Sequence, residues 1–173
     1  MRSGPRARDH WASVMRKLTL SSSLFWWAAA LTALCGGGLL VWGNSLSWNL
    51  LDMTFRPGDV SDTLEWLSGQ GLTQSHLWMT MSVDTLFPPA YCLLLLTAHA
   101  RYLRPPDTWF LALIIATLTA DYTENGIQIA LLRGSGQVEL ERIKVFASIA
   151  KVAGITLSVA VLGIRILKAR RGT

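Results

Sequence analysis

The sequence is poor in charged residues. Asp, Glu, Lys and Arg make up 16% of its 173 residues, against about 25% in an average soluble domain. No charged side chain occurs between Leu18 and Leu51, although a helix needs only about 20 mostly apolar residues to cross a bilayer. With 51% hydrophobic residues, the composition excludes a disordered protein and indicates an integral membrane protein.

Cysteines are also few, and no internal repeat is visible. The two cysteines, Cys35 and Cys92, lie in apolar stretches without CxxC spacing, so they predict packing residues and neither a redox pair nor a zinc site. The lack of a repeat argues against a transporter built from duplicated halves. Basic residues gather near the chain ends and do not alternate with aromatic residues, so no nucleic-acid partner is expected.

Four apolar segments, at about residues 20–42, 74–98, 108–132 and 143–166, predict an all-α, integral membrane four-helix bundle. Residues 1–19 and 167–173 form basic tails beside this transmembrane domain, 20–166. A cleaved signal peptide is the less favoured interpretation of segment one, because its apolar run exceeds the usual stretch of about 7 to 15 residues. Gly36, Gly37 and Gly38 are expected to let a neighbouring helix, in this chain or in a partner, approach segment one closely.

The first connecting segment is mixed in polarity. Pro57-Gly58 and Gly69-Gln70-Gly71 bracket a stretch that places Val60, Leu64 and Leu67 on one helical face. The segment therefore predicts a short amphipathic helix in the first outer loop, lying at the membrane surface.

The distribution of charge predicts the orientation. With the amino terminus inside, the cytoplasmic pieces contain eleven of the sixteen basic residues, and the opposite side contains six of the eleven acids. This asymmetry follows the positive-inside rule. It predicts a multi-pass protein of the inner (cytoplasmic) membrane with both termini cytoplasmic. The eleven basic residues are Arg2, Arg6, Arg8, Arg16, Lys17, Arg101, Arg104, Arg165, Lys168, Arg170 and Arg171.

Ionisable side chains inside the predicted spans indicate a site. Each one costs about 2.5 to 3.5 kcal/mol at the centre of a membrane helix, so such residues usually mark a pathway, a site or a buried pair. At 1.5 Å per residue, Asp84, Asp121 and Lys151 lie about 15, 17 and 12 Å below the outer face. Three helices are therefore expected to carry a charge to nearly the same depth.

Polar residues follow helical spacing on three segments and are expected to face one another, because each stripe is unfavourable against lipid. The stripes are Thr80, Asp84 and Tyr91; Thr117, Asp121, Glu124, Asn125 and Gln128; and Lys144, Ser148 and Lys151. The candidate catalytic residues are Asp84, Asp121, Glu124 and Lys151. The candidate ligand-binding residues are Asn125, Gln128, Tyr91, Trp78, Thr80 and Ser148.

This polar cluster favours acid/base chemistry on a lipid-soluble small molecule, since two carboxyls in different surroundings suit a proton donor and a proton acceptor. Pro88 and Pro89 are expected to kink or open segment two beside Asp84, giving either a hydrated pocket or a packing kink. The expected partners are membrane lipid, a lipophilic molecule, and a membrane protein or second copy. The sequence identifies no cofactor and leaves open whether the chain is an enzyme.

A purely structural role for the charges is the main alternative. Asp121 with Lys151 and Glu124 with Lys144 would then form buried pairs that set the helix register, or Lys144 would snorkel to the interface and leave Glu124 at the rim. Under this interpretation the chain is a non-catalytic subunit or assembly factor of a membrane complex. A proton-coupled carrier is a further alternative.

Metal and peptidase chemistry are less favoured. The carboxylates suit Mg²⁺ or Mn²⁺, but Lys151 at the same depth would repel the ion, so no metal site is predicted. His10, His76 and His99 are expected to be solvated near the interfaces. Neither Asp84 nor Asp121 stands in the G-x-G-D context of an intramembrane aspartyl peptidase.

Overall fold

The computed structural model describes residues 22–48, 50–103, 108–135 and 138–171, which are mainly helical and contain no strand. An all-α fold is therefore confirmed. The helices are α1 (Ser22–Ser45), α2 (Pro57–Gly69), α3 (Thr73–Met79), α4 (Thr85–Leu103), α5 (Thr108–Leu132) and α6 (Val138–Arg171). A 3-10 turn spans Leu51–Met53, and a π-helical turn, Thr80–Asp84, joins α3 to α4 in one continuous helix.

Three of these helices are long and apolar enough to cross a membrane by length and composition, namely Ser22–Ser45, Thr73–Tyr102 and Val138–Lys168. The structure supports a membrane protein to this extent. α5 is 25 residues long but is not in this group. Its mean hydropathy is lowered by polar residues of the stripe, which the structure buries.

The helix ends differ from the predicted segment ends. α1 continues to Ser45, and α6 begins at Val138, five residues before the predicted start. The amino-terminal basic tail and the first two residues of segment one lie outside the described residues, as do residues 172 and 173 of the carboxyl tail.

α5 occupies the centre of the fold. It packs extensively against α6 and also against α4, whereas α1 packs mainly against α4 and the π turn. Phe110 and Ile114, near the start of α5, belong to one apolar core, and Leu131 and Leu132, at its end, belong to another. The polar stripe lies between these two apolar layers, in the middle of the helix.

The short helix predicted in the first connecting segment is present as α2. The described residues from 46 to 72, which join α1 to α3, are termed the outer loop after the predicted orientation. Pro57 stands in its first turn, where a missing backbone N–H is tolerated. Val60 and Leu67 are fully buried in the apolar core that contains Leu131 and Leu132. The Ser61 hydroxyl donates to Glu141 Oε1 of α6 at 2.8 Å. The apolar face of α2 is therefore buried against the end of the bundle by the protein itself.

Two of the three α1 glycines lie against the second long helix. A Cβ at Gly38 would lie 3.2 Å from Val83, and one at Gly36 would lie 3.6 Å from Phe87. Gly37 has no such neighbour, because it points away from this contact. Cys35 and Cys92 are buried and free, as expected of packing residues.

Helices α5 and α6 approach each other closely at Gly154. A Cβ at Gly154 would overlap the Thr117 side chain, whereas a Cβ at Gly163, farther along α6, would meet no neighbouring atom. The hydroxyl of Thr117 already donates to the carbonyl of Leu113 at 2.8 Å. Gly154 is therefore the point at which the size of one side chain limits the approach of these two helices.

Gly154→Ala is expected to lower the unfolding temperature, because overpacking a close contact costs about 1–3 kcal/mol. Gly163→Ala is the matched control and is expected to leave it unchanged or to raise it slightly. Thermal unfolding in detergent, followed by circular dichroism, measures both. Adding Thr117→Ala to Gly154→Ala should restore much of the loss, and equal melting of the two single variants would contradict the contact.

Candidate functional site

The site begins at the π turn of the second long helix. Pro88 and Pro89 lack the N–H groups that would bond to the carbonyls of Asp84 and Thr85 in a regular helix. Side chains of α5 supply the missing donors: Asn125 Nδ2 donates to Asp84 O at 3.2 Å, and the Tyr122 hydroxyl donates to Thr85 O at 3.3 Å. The predicted opening is thus a π turn whose free carbonyls bond to α5, and it places Asp84 beside that helix.

Lys151 of α6 is the centre of the charge cluster. Its Nζ lies 2.5 Å from Glu124 Oε2, 3.0 Å from Asp52 Oδ1 and 3.4 Å from Asp121 Oδ1. The Tyr91 hydroxyl donates to the second oxygen of Asp121 at 2.8 Å. One ammonium group thus joins carboxylates from α5 and from the outer loop.

Lys144 forms a second, fully buried centre two helical turns nearer the start of α6. Its Nζ lies 3.4 Å from Glu124 Oε1 and donates to the carbonyl and hydroxyl oxygens of Thr54, at 3.0 and 2.8 Å, and to the carbonyl of Leu51. Ser148 donates to the same Glu124 oxygen. Lys144 does not snorkel to the interface, because the outer loop folds over it and supplies these acceptors.

The outer loop is also bound to the first turn of the second long helix. The Leu51 N–H donates to His76 Nε2 at 3.1 Å, and Thr80 Oγ1 lies 3.3 Å from His76 Nδ1. Both His76 and His99 are buried, so the prediction that these histidines are solvated was wrong. His99 stacks on Phe110 and lies 3.2 Å from Arg165 Nη1. His10 lies outside the described residues.

Asp52 is the one charged residue of the cluster that the sequence did not predict. It lies in the outer loop, and prediction was confined to residues inside apolar segments. The signal was its position directly after Leu50 and Leu51, which are both buried and draw the loop into the core. Burial raises the pKa of Asp52, but the charge and hydrogen bond of Lys151, together with the charges of His76 and Lys144, outweigh it, so the pKa lies below its ordinary value.

A cavity of about 230 Å³ lies beside Lys151. Its polar wall consists of Asp52, Asp84, Asp121 and Lys151, and the rest is apolar. The apolar lining is Leu39, Leu40, Trp48, Leu50, Met53, Phe55, Phe87, Val152 and Ile155. Asp84 is 4% exposed, and its Oδ2 atom has no hydrogen-bond partner among the described residues.

The structure brings together nine of the ten residues predicted for the site. Asp84, Asp121 and Lys151 line the cavity, Tyr91 and Ser148 hold carboxylates, and Thr80 Oγ1 lies 3.5 Å from Gln128 Oε1. Glu124 bridges the two lysines and Asn125 bonds to Asp84, as described above. Trp78 is excluded: it is 57% exposed, because it lies two residues, or about 200° of helical rotation, from the buried His76.

No known protein supplies a function. The chain matches no protein-family model, no curated protein and no solved structure. In the described part of the chain, no group of three or more His, Cys, Asp or Glu side chains is placed to hold a metal ion.

Lys144→Met is expected to destabilise the protein by about 3–5 kcal/mol, because it leaves Glu124 without one of its two buried cations and frees the acceptors of the outer loop. Lys168→Met, at an exposed position of the same helix, is the control. Thermal unfolding and protease cleavage in the outer loop are the measurements. The double variant with Glu124→Gln should recover part of the loss, and unchanged cleavage in Lys144→Met would contradict the role of Lys144 in holding the loop.

Asp52 predicts a pH dependence of stability. Since its folded-state pKa is depressed, its contribution is present above the unfolded-state pKa of about 4 and is lost as the pH falls through the folded-state value. Asp52→Asn should lower the unfolding temperature near neutral pH, with a difference from wild type that shrinks below about pH 4. Asp62→Asn, an exposed site on α2, is the control. A difference that widens in acid would contradict the Asp52–Lys151 pair.

Proposed function

We propose that the chain is a four-span protein of an inner membrane, with α5 as the fourth span and both termini on the cytoplasmic side. Twenty-five residues of helix extend about 37 Å, which exceeds the roughly 30 Å thickness of the hydrocarbon core. The charged residues of α5, Asp121 and Glu124, are both buried, and its exposed face carries none. The face that such a helix turns to lipid is uncharged, although the polar residues of the buried stripe lower its mean hydropathy.

We further propose that the cavity binds a lipid-soluble small molecule and acts on it by acid/base chemistry. The observation that carries this proposal is the buried, unpartnered oxygen of Asp84 in the wall of an otherwise mainly apolar cavity. A buried carboxylate oxygen without a donor is unfavourable by itself. A bound molecule that provides a donor removes this penalty, which is the behaviour expected of a binding site.

The chemistry assigns separate roles to the cavity groups. Asp84 takes a proton from the bound molecule: the ligand's bond to hydrogen breaks, its electron pair stays on the ligand, and an O–H bond forms on the carboxylate. The Lys151 ammonium group, on the same wall, holds the other two carboxylates of the cavity, Asp52 and Asp121, so Asp84 is the one left to accept the proton. Asp121 positions Lys151 and is itself held by Tyr91. Return of the proton to the ligand regenerates the carboxylate.

Part of the cluster has a structural role in this proposal. Lys144 is fully buried and does not line the cavity, and its contacts are with Glu124 and the backbone of the outer loop. His76 likewise binds the loop. These contacts support the view that the outer loop is fixed as a lid, and they are also what a non-catalytic subunit with buried charge pairs would have.

Native mass spectrometry of the protein in mild detergent tests the proposal. We expect wild type to retain a small lipophilic molecule and Asp84→Asn to lose it, because the amide keeps the shape of the side chain and removes its charge. Asp62→Asn is the control and should retain it.

A stoichiometric protein partner without any small molecule would instead support the subunit interpretation. Retention of the molecule by Asp84→Asn, at the same occupancy as wild type, would exclude Asp84 from the site.

A further inference from the structure

The cluster beside the cavity has more acidic than basic groups. Four carboxyl groups, Asp52, Asp84, Asp121 and Glu124, accompany only two lysines, Lys144 and Lys151, and three of these carboxyl groups but only one of the lysines line the cavity. Both lysines are already engaged: Lys151 with three of the carboxylates, and Lys144 with Glu124 and the outer loop. Asp84 is the carboxylate that forms no ion pair with either of them.

The shape of the cavity adds a second constraint. Its volume of about 230 Å³ is below the roughly 300–1000 Å³ typical of drug-sized ligands, so it accommodates one polar group and a short apolar stretch. Leu40 of α1 and Val152 of α6 line it and are 60% and 46% exposed. The exposed part of the lining, termed the mouth, is therefore apolar, since it consists of Leu40 and Val152 on two long helices and of Trp48, Met53 and Phe55 in the outer loop.

We propose that the ligand is a primary alkylammonium compound, with its ammonium group at Asp84 and its chain leaving between Leu40 and Val152. This inference rests on the proposed binding function and names its ligand class. An ammonium group offers the donor that Asp84 Oδ2 lacks, and its charge suits a polar wall of three carboxyl groups and one lysine. A charge-assisted hydrogen bond of this kind is about twice as strong as a neutral one. The apolar mouth then takes a chain without desolvating any polar group.

A divalent metal ion fits the same charge less well. Mg²⁺ and Ca²⁺ require six or more oxygen ligands, and three of the four carboxylates are already bound to Lys151. A single positive charge with one to three N–H donors matches the one free carboxylate.

Titration calorimetry with dodecylamine, in micelles of a non-ionic detergent at pH 7, tests the inference, with dodecanol as the neutral probe of equal chain length. We expect dodecylamine to bind wild type at one site and dodecanol at least about tenfold more weakly. Asp84→Asn should reduce the affinity for dodecylamine by about tenfold or more, and Asp62→Asn should leave it unchanged.

Val152→Trp provides a test that leaves every polar residue in place. It changes an exposed position, so the fold is expected to survive, and the larger side chain should block the mouth and weaken dodecylamine binding. Equal affinity of wild type and Val152→Trp would contradict the proposed path of the chain.

The outcomes separate the ligand class from the proposed function. Binding of dodecanol that is at least as tight as that of dodecylamine, and that Val152→Trp abolishes, would overturn the ammonium inference while keeping a lipophile site. Binding of neither probe at the cavity, together with the absence of any small molecule in the native mass spectrum, would overturn both.

The ammonium group has two natural sources, a single-chain amine and the headgroup of phosphatidylethanolamine. The phosphate of that lipid would lie near the excess of carboxylates, which disfavours it. Native mass spectrometry from nanodiscs of phosphatidylethanolamine, compared with phosphatidylcholine, distinguishes the two. Phosphatidylethanolamine that is retained by wild type and lost in Asp84→Asn would support the ammonium class and identify the lipid as its source. If the lipid is not retained while dodecylamine binds, the source is a single-chain amine.

Discussion

The contact of one lysine with three carboxylates holds the site together. Lys151 meets Glu124, Asp121 and Asp52, so the last helix, the central helix and the outer loop share a single positive charge. Buried charges of this kind are favourable only with good geometry and further hydrogen bonds. Tyr91, Ser148 and Lys144 provide those bonds to the carboxylates. The rest of the polar layer can be understood as support for this arrangement.

The central helix makes this support possible because it serves three neighbours at once. Its Asn125 and Tyr122 satisfy the carbonyls freed by two prolines, its Glu124 joins both lysines, and its Thr117 packs tightly against Gly154. The second long helix forms a π turn that ends at Asp84, and side chains of the central helix stabilise the carbonyls that the prolines leave free. The polar stripe and the two prolines therefore act together to position Asp84.

The sequence predicted the helices and most of the polar stripe, because both depend on periodicity within a single segment. Asp121, Glu124, Asn125 and Gln128 share a face whichever way the helices pack. Asp52 and His76 could not be found in this way, since their burial depends on how a loop of mixed composition folds back onto the bundle. Trp78 was included because it is close to the cluster in sequence. A helix turns by about 100° per residue, so a residue close in sequence can lie on the opposite face, as Trp78 does. Long-range contacts, rather than local pattern, decided the positions of Asp52 and His76.

The distribution of charge along the chain has a consequence for how the protein is made. All four carboxylates of the cluster precede residue 125, whereas both ammonium groups belong to α6, which leaves the ribosome after α1 to α5. Until α6 is in place, the residues before it contain four acids that only protons or a cation from solution can neutralise. The insertion of α6 therefore completes the site, and a chain that stops before α6 would contain the acids of the site without the charge that joins them.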